Sequence, residues 1–246
     1  MRPARLAVTL TAHGSRDPRA ARATEALARA VQARHPAWDI RASYLDHAGP
    51  RPRAVLSSFE AEGHSRAVLV PLLLTSAYHG RVDVPAEIAA VQGFPVAQAD
   101  VLGPVEGRVP PLLLDGLLER LGAVSLDAVV LAAAGTRNAG ARATVDQAAA
   151  ALSGRLGVPC RVAYASAAPP LAGDAVRGLQ EEGHSRIGLA SYFLAPGLLW
   201  DSALGSAREA GICAVGEPLT DVPALVELVA TRVLAVASQP VAALAA

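Results

Sequence analysis

Lysine is absent. All 22 basic residues are arginine, and they balance 22 acidic residues to a formal charge of zero. Without lysine no Gly-Lys-Ser/Thr phosphate loop can form, and without a basic excess no overall field draws nucleic acid or an anionic membrane. The Gly-x-Gly-x-x-Gly dinucleotide fingerprint is missing as well, so neither ATP nor nicotinamide use is indicated. Cysteine occurs twice, at Cys160 and Cys213, in no metal-binding spacing. A chain of 246 residues needs no disulfide staple, and both thiols read as small core residues. The least polar stretch, 187–200, is broken by Pro196 and Gly197, and no run reaches the roughly 18 apolar residues of a membrane span. Behind Met1-Arg2-Pro3-Ala4-Arg5 the apolar segment is about six residues, too short for a secretion signal core. A cytoplasmic protein without nucleic-acid or membrane partners is expected. Aromatics make up only 4% against 52% hydrophobic residues, an ordinary globular composition built on small aliphatic side chains.

What is present is a long internal repeat. Gly63-His64-Ser65-Arg66 recurs 120 residues later as Gly183-His184-Ser185-Arg186. The same shift carries Ala21-Arg22-Ala23-Thr24 onto Ala141-Arg142-Ala143-Thr144, Arg41 onto Arg161, Tyr44 onto Tyr164 and Pro50 onto Pro170. A period this long is a duplicated domain rather than a solenoid. The expected halves are 1–122 and 123–246.

Within each half, short apolar runs alternate with longer amphipathic ones, the pattern of βαβ units and a mostly parallel sheet. The first half reads as strands at 5–10, 39–44, 67–73 and 96–99, with helices at 18–34, 52–62, 84–91 and 105–121. The second reads as strands at 128–132, 161–164, 187–192 and 212–215, with helices at 139–156, 171–182, 200–210 and 222–236. The expected fold class is α/β: two homologous lobes, each a mostly parallel sheet flanked by helices, with a cleft between them. Ligands in such sheets bind beyond the carboxyl ends of the strands.

Three residues stand at those ends in the first half. His13 follows the first strand within His13-Gly14-Ser15-Arg16-Asp17-Pro18, Asp46 follows the second, and His79 follows the third. Two imidazoles and a carboxylate on one edge can hold a divalent first-row metal, or one imidazole can take a proton while the other holds the ion. The second half is the internal control. Ala134-Gly135-Thr136-Arg137 stands for His13-Gly14-Ser15-Arg16, Ser166 for Asp46 and Leu199 for His79. The turns persist while all three ligand types are lost together, as expected of one site confined to the first half. His64 and His184 persist in both copies at the opposite edge and read as structural. Trp38 and Trp200 read as packing residues.

These motifs resemble the class II chelatases of tetrapyrrole biosynthesis, the sirohydrochlorin cobalto- and ferrochelatases, in their long form with two fused halves. The resemblance rests on His13 to Pro18, on Pro71-Leu72-Leu73-Leu74 leading to His79, on Asp83-Val84-Pro85, and on the degenerate copy at 192–199. It implies metal insertion into sirohydrochlorin, with His13 and His79 as metal ligands or proton acceptor and Asp46 as the acidic partner. It also implies a polycarboxylate substrate, for which Arg16, Arg81 and Arg137 could supply forked contacts, and Ser15 with the amides of 14–16 a further anion contact. The metal, Co2+ or Fe2+ with Ni2+ as a further alternative, is then a substrate, and no tightly bound cofactor is expected. A single chain carries both halves, so a monomer is expected. The competing reading is a carrier that binds metal or tetrapyrrole through the same histidines without turnover. A phosphotransfer site is disfavoured because Ala12, not arginine, precedes His13.

Overall fold

A computed structural model of the chain describes residues 5–75 and 83–238. Its elements alternate strictly. The first eight are β1 (Leu6–Ala12), α1 (Pro18–Arg34), β2 (Trp38–Tyr44), α2 (Pro52–Ala61), β3 (Ala67–Leu72), α3 (Val84–Ala89), β4 (Val96–Gln98) and α4 (Pro111–Leu121). The series then repeats as β5 (Ala128–Ala133), α5 (Ala139–Leu156), β6 (Cys160–Tyr164), α6 (Ala172–Glu181), β7 (Ile187–Tyr192), α7 (Leu198–Glu209), β8 (Ala214–Val215) and α8 (Pro223–Ala237). Two four-stranded sheets result, ordered β2-β1-β3-β4 and β6-β5-β7-β8, with every pair parallel. The expected α/β class with two homologous sheet lobes is what the chain adopts. Among the described residues no helix is long and apolar enough to cross a membrane.

The reasons are local. Strands β3, β5 and β7 are buried at every residue, as expected of interior parallel strands covered on both faces. Helix α1 starts where Asp17 caps the Arg19 amide at 2.9 Å and Pro18 pre-sets the first turn, and it buries Ala23, Leu27, Ala28 and Val31 on one stripe. Asn138 caps α5 in the same way, and Gly157 closes it in the left-handed conformation. Pro71 is tolerated inside β3 because β4 pairs only with 67–69, leaving β3 a single neighbour at that level.

Two expectations need correction. The helix read over 105–121 begins only at Pro111: Val105 and Arg108 form an isolated antiparallel bridge, and Pro110 is held extended by the proline that follows it. Cys213 is exposed rather than buried, because the edge strand after it is only two residues long.

By internal packing the chain forms two compact units, one of residues up to Leu102 and from Val226 onward, the other of Gly103–Leu225. Each unit therefore takes its last helix from the other half of the sequence. In the second unit, Gly116 of α4 approaches Leu219 and Val222 so closely that a Cβ would lie 3.2 Å from each, and Arg120 donates to the Leu219 carbonyl at 3.2 Å. In the first unit, Glu227 of α8 faces Arg34 of α1.

Register brings the loops of each sheet to one edge. Ala12 is level with Tyr44 on one side and Leu72 on the other, so the residues after β1, β2 and β3 leave the sheet at one edge. Ala133 is likewise level with Tyr164 and Tyr192.

Candidate active site

The turn after β1 and the turn after β2 touch. Gly14 has φ +94°, and a Cβ there would lie 1.7 Å from the Asp46 carbonyl oxygen, so only glycine permits the approach. The Leu45 amide donates to Ala12 at 3.0 Å and the Asp46 amide donates to the His13 carbonyl at 2.8 Å, extending the β1–β2 ladder beyond the strands. His13 and Asp46 are thus brought side by side by backbone alone. His47, at φ 59°, completes the turn and sets its ring 6.2 Å from that of His13.

The His13 ring is oriented by its own loop. Its Nδ1 lies 3.1 Å from the Gly14 carbonyl, which can only accept, so Nδ1 carries the proton and the basic lone pair falls on Nε2. In that tautomer Nε2 is the nitrogen that can bind a metal ion or take a proton. The Asp46 carboxylate is exposed and accepts from the His47 amide at 2.8 Å. This hydrogen bond holds its pKa below the usual carboxylate value, against a smaller opposing effect of desolvation, and the neighbouring side chains of His47, His13 and Arg51 lower it further. Asp46 is consequently an anion across the neutral range.

Both residues line a cavity of ≈ 420 Å³ in the first unit, together with Leu45, Arg51, Asp83, Ala86 and Glu87. Among the described residues its wall carries three carboxylates, Asp46, Asp83 and Glu87, and one guanidinium, Arg51, which is paired with Glu87. Arg51 and Glu87 are additions the sequence did not signal. They lie 36 residues apart and meet only through the packing of α2 and α3. Asp83, of the Asp83-Val84-Pro85 motif, stands in the same wall.

The remaining expected residues are placed as follows. The Ser15 hydroxyl accepts from the Asp17 amide at 3.1 Å, and Asp17 itself caps α1. Arg16 is exposed on the same turn, and Arg137 is exposed on the corresponding turn of the second unit. His79 and Arg81 lie outside the described residues.

The second unit repeats the geometry without the chemistry. Gly135 has φ +98° and its Cβ would lie 1.8 Å from the Ser166 carbonyl oxygen; Ala167, at φ 63°, stands in the place of His47. Cis peptides precede both Pro50 and Pro170. At the positions of His13 and Asp46 stand Ala134 and Ser166, and Leu198 and Leu199 are exposed where the first copy has Tyr78 and His79 in sequence.

At the opposite edge, ligand atoms of Asp39, Glu62 and His64 lie within 4.8 Å of one another. Arg41 already occupies this group, donating to Asp39 at 2.9 Å and to Glu62, and stacking over Phe59 at 4.4 Å. His64 contacts the Arg5 carbonyl at 3.0 Å and Asp39 at 3.2 Å. Arg161 and Glu182 repeat the pair at 2.6 Å in the second unit, in keeping with a structural role. Trp200 is buried, its indole donating to Ser191 at 2.9 Å.

Comparison with known proteins follows the same outline. The sequence model of the CbiX family matches residues 7–120 and 128–236. A sirohydrochlorin cobaltochelatase from Methanococcoides burtonii is 26% identical over 81 residues, 33% of this chain and 62% of that protein's length. Among solved structures, SirB from Bacillus subtilis with Fe3+ superposes with TM-score 0.80 at 18% identity, covering 95% of this chain and 96% of that one. The sirohydrochlorin chelatase SirB from Bacillus subtilis subspecies spizizenii, in complex with cobalt, gives 0.78 at 18% identity over 98% of both chains.

Proposed function

Since the chain belongs to the CbiX family of class II chelatases, we propose that it is a sirohydrochlorin chelatase, inserting a divalent metal into the tetrapyrrole at the His13–Asp46 edge of its first unit. The observation that carries this is the pairing of His13 with Asp46: the Asp46 amide donates to the His13 carbonyl at 2.8 Å, which sets the two side by side at the sheet edge, and both line one cavity.

Insertion requires an ion to be held and stripped of water, and two pyrrole protons to be removed. Neutral imidazole suits both tasks near pH 7, with an unperturbed pKa of about 6.5. His13 is the described ligand or base, with His79 as the second. Asp46, anionic throughout the neutral range, offsets the charge of the incoming ion and receives the proton that an imidazole releases. The ring's carboxylates would be met by Arg16, Arg81 and Arg137 and by Ser15. Co2+ and Fe2+ are the metals proposed: the relatives include a protein described as a cobaltochelatase and structures holding cobalt and Fe3+. Turnover by a single cytoplasmic chain, without a tightly bound cofactor, is part of the proposal.

The test is anaerobic insertion of Co2+, Fe2+ and Ni2+ into sirohydrochlorin, followed by absorbance, for the wild type and for His13→Ala and His79→Ala. Acceleration over the spontaneous rate, lost by about 100-fold or more in both variants, is expected. Binding of the ring or the metal without acceleration would make the protein a carrier.

A further inference from the structure

Arg51 immediately precedes Pro52 at the start of α2. Its guanidinium donates through Nη1 to the Leu45 carbonyl and through Nη2 to Glu87 Oε1 at 2.8 Å. Glu87 is buried, 8% exposed, and its other oxygen accepts from the Arg53 amide at 3.2 Å. The end of β2, the start of α2 and the body of α3 are thereby tied at one point. The Leu45 carbonyl and the Asp46 amide are two ends of one peptide plane. Arg51 grips that plane by its oxygen, and the His13 carbonyl grips it by its N–H at 2.8 Å. A rigid peptide held at both ends fixes where Asp46 stands relative to His13.

The second unit shows what the fold needs at this point. There the Gly173 amide, equivalent to that of Arg53, donates to the Ser206 hydroxyl at 3.0 Å, and Leu171 stands in place of Arg51. Where Gly173 lets the two helices meet closely, a hydroxyl clips them together. The charged pair is found in the unit that carries His13 and Asp46.

We propose that Arg51 and Glu87 are positioning residues for metal handling, setting the Leu45–Asp46 peptide so that the Asp46 carboxylate and His13 act on one ion. The proposal rests on the chelatase reading, and its test has a readout that is independent of turnover: Co2+ titration of the purified chain, followed by the visible absorption of bound cobalt, beside melting temperature and insertion rate.

The informative variant copies the second unit, Arg51→Leu with Glu87→Ser. It removes one charge of each sign, so net charge is unchanged, and the amide of the exposed Arg53 is left to water. Removing Arg51 alone would instead bury an unpaired carboxylate. The double variant is expected to melt within a few degrees of wild type, to bind Co2+ about tenfold more weakly with an altered band shape, and to insert metal more slowly. Arg51→Lys keeps the charge but has no planar fork to reach both Leu45 and Glu87, and is expected to be intermediate. Wild-type cobalt affinity and spectrum in the double variant would overturn the proposal. Should the double variant not fold, Glu87→Gln keeps the shape and the acceptor for Arg53, and at least threefold weaker Co2+ binding is expected; unchanged binding, or failure of this variant to fold as well, would overturn it. A wild type that binds Co2+ yet never accelerates insertion would remove the chelatase reading and leave the binding comparison standing. A wild type that binds no Co2+ would remove both.

Discussion

The two units share a sheet order, a pair of touching glycine turns and matching left-handed residues, yet only one carries a histidine and a carboxylate at the strand ends. The duplication separates what both copies keep from what one copy alone carries. Gly14 and Gly135, the Arg41–Glu62 and Arg161–Glu182 pairs, and the clips from α2 to α3 and α6 to α7 belong to the fold, since both copies keep them. His13, Asp46 and the Arg51–Glu87 pair belong to the first unit alone.

The sharpest way to break this division is at the shared glycines. Gly14→Ala and Gly135→Ala each drive a Cβ into a carbonyl oxygen from a positive φ, and each should cost about 3 kcal/mol or more in chemical denaturation. Cobalt binding should suffer only in Gly14→Ala. Equal loss of binding in both would join the second unit to the site. A smaller effect is expected from Asp46→Ser, which installs the second unit's residue: Ser166 fits the same turn, its hydroxyl donating to the Ala134 carbonyl at 2.9 Å. Melting should be unaffected while the insertion rate falls about tenfold, a loss of roughly 1.4 kcal/mol of transition-state stabilisation.

A third contrast lies inside the sheets. Thr9 and Thr11 share the Ser43 hydroxyl at 2.8 and 2.9 Å, all three fully buried, where the second unit has only Val130, Ala132 and Ala163. Ser43→Ala strands two buried hydroxyls and should cost about 1–2 kcal/mol, whereas Thr9→Val, Thr11→Ala and Ser43→Ala together, the apolar set of the second unit, should cost less than Ser43→Ala alone. The smallest effect concerns acid. Asp127 accepts from the amides of Ser185 and Arg186, which hold its pKa below the ordinary 3.8. A carboxylate depressed in the folded state adds stability above its unfolded pKa and loses it as pH falls through the folded value. The melting advantage of wild type over Asp127→Asn should therefore be present at pH 6 and fade below about pH 3.8 in a thermal titration.

Much of this was legible in the order of residues because the signals are local. The apolar runs of β3 and β7, and the Asp17-Pro18 and Asn138 starts of α1 and α5, announce their elements within a few positions. The internal repeat did more, exposing His13 and Asp46 through their loss in the copy. What escaped was tertiary. Pro110-Pro111 set the start of α4 against an apolar pattern that ran on through 105–109. Arg51 and Glu87 are unremarkable surface types in sequence and gain meaning only when α2 meets α3. The exchange of last helices leaves no trace in the repeat either, since homology records descent rather than packing.

That exchange has a consequence for the order of synthesis. Strands β1 to β4 leave the ribosome first, but the helix that completes their unit is made only after the whole of Gly103–Leu225. At about 5–20 residues per second the delay is on the order of ten seconds. The unit bearing His13 and Asp46 is begun first and finished last, so premature termination anywhere before Val226 leaves its sheet without that helix.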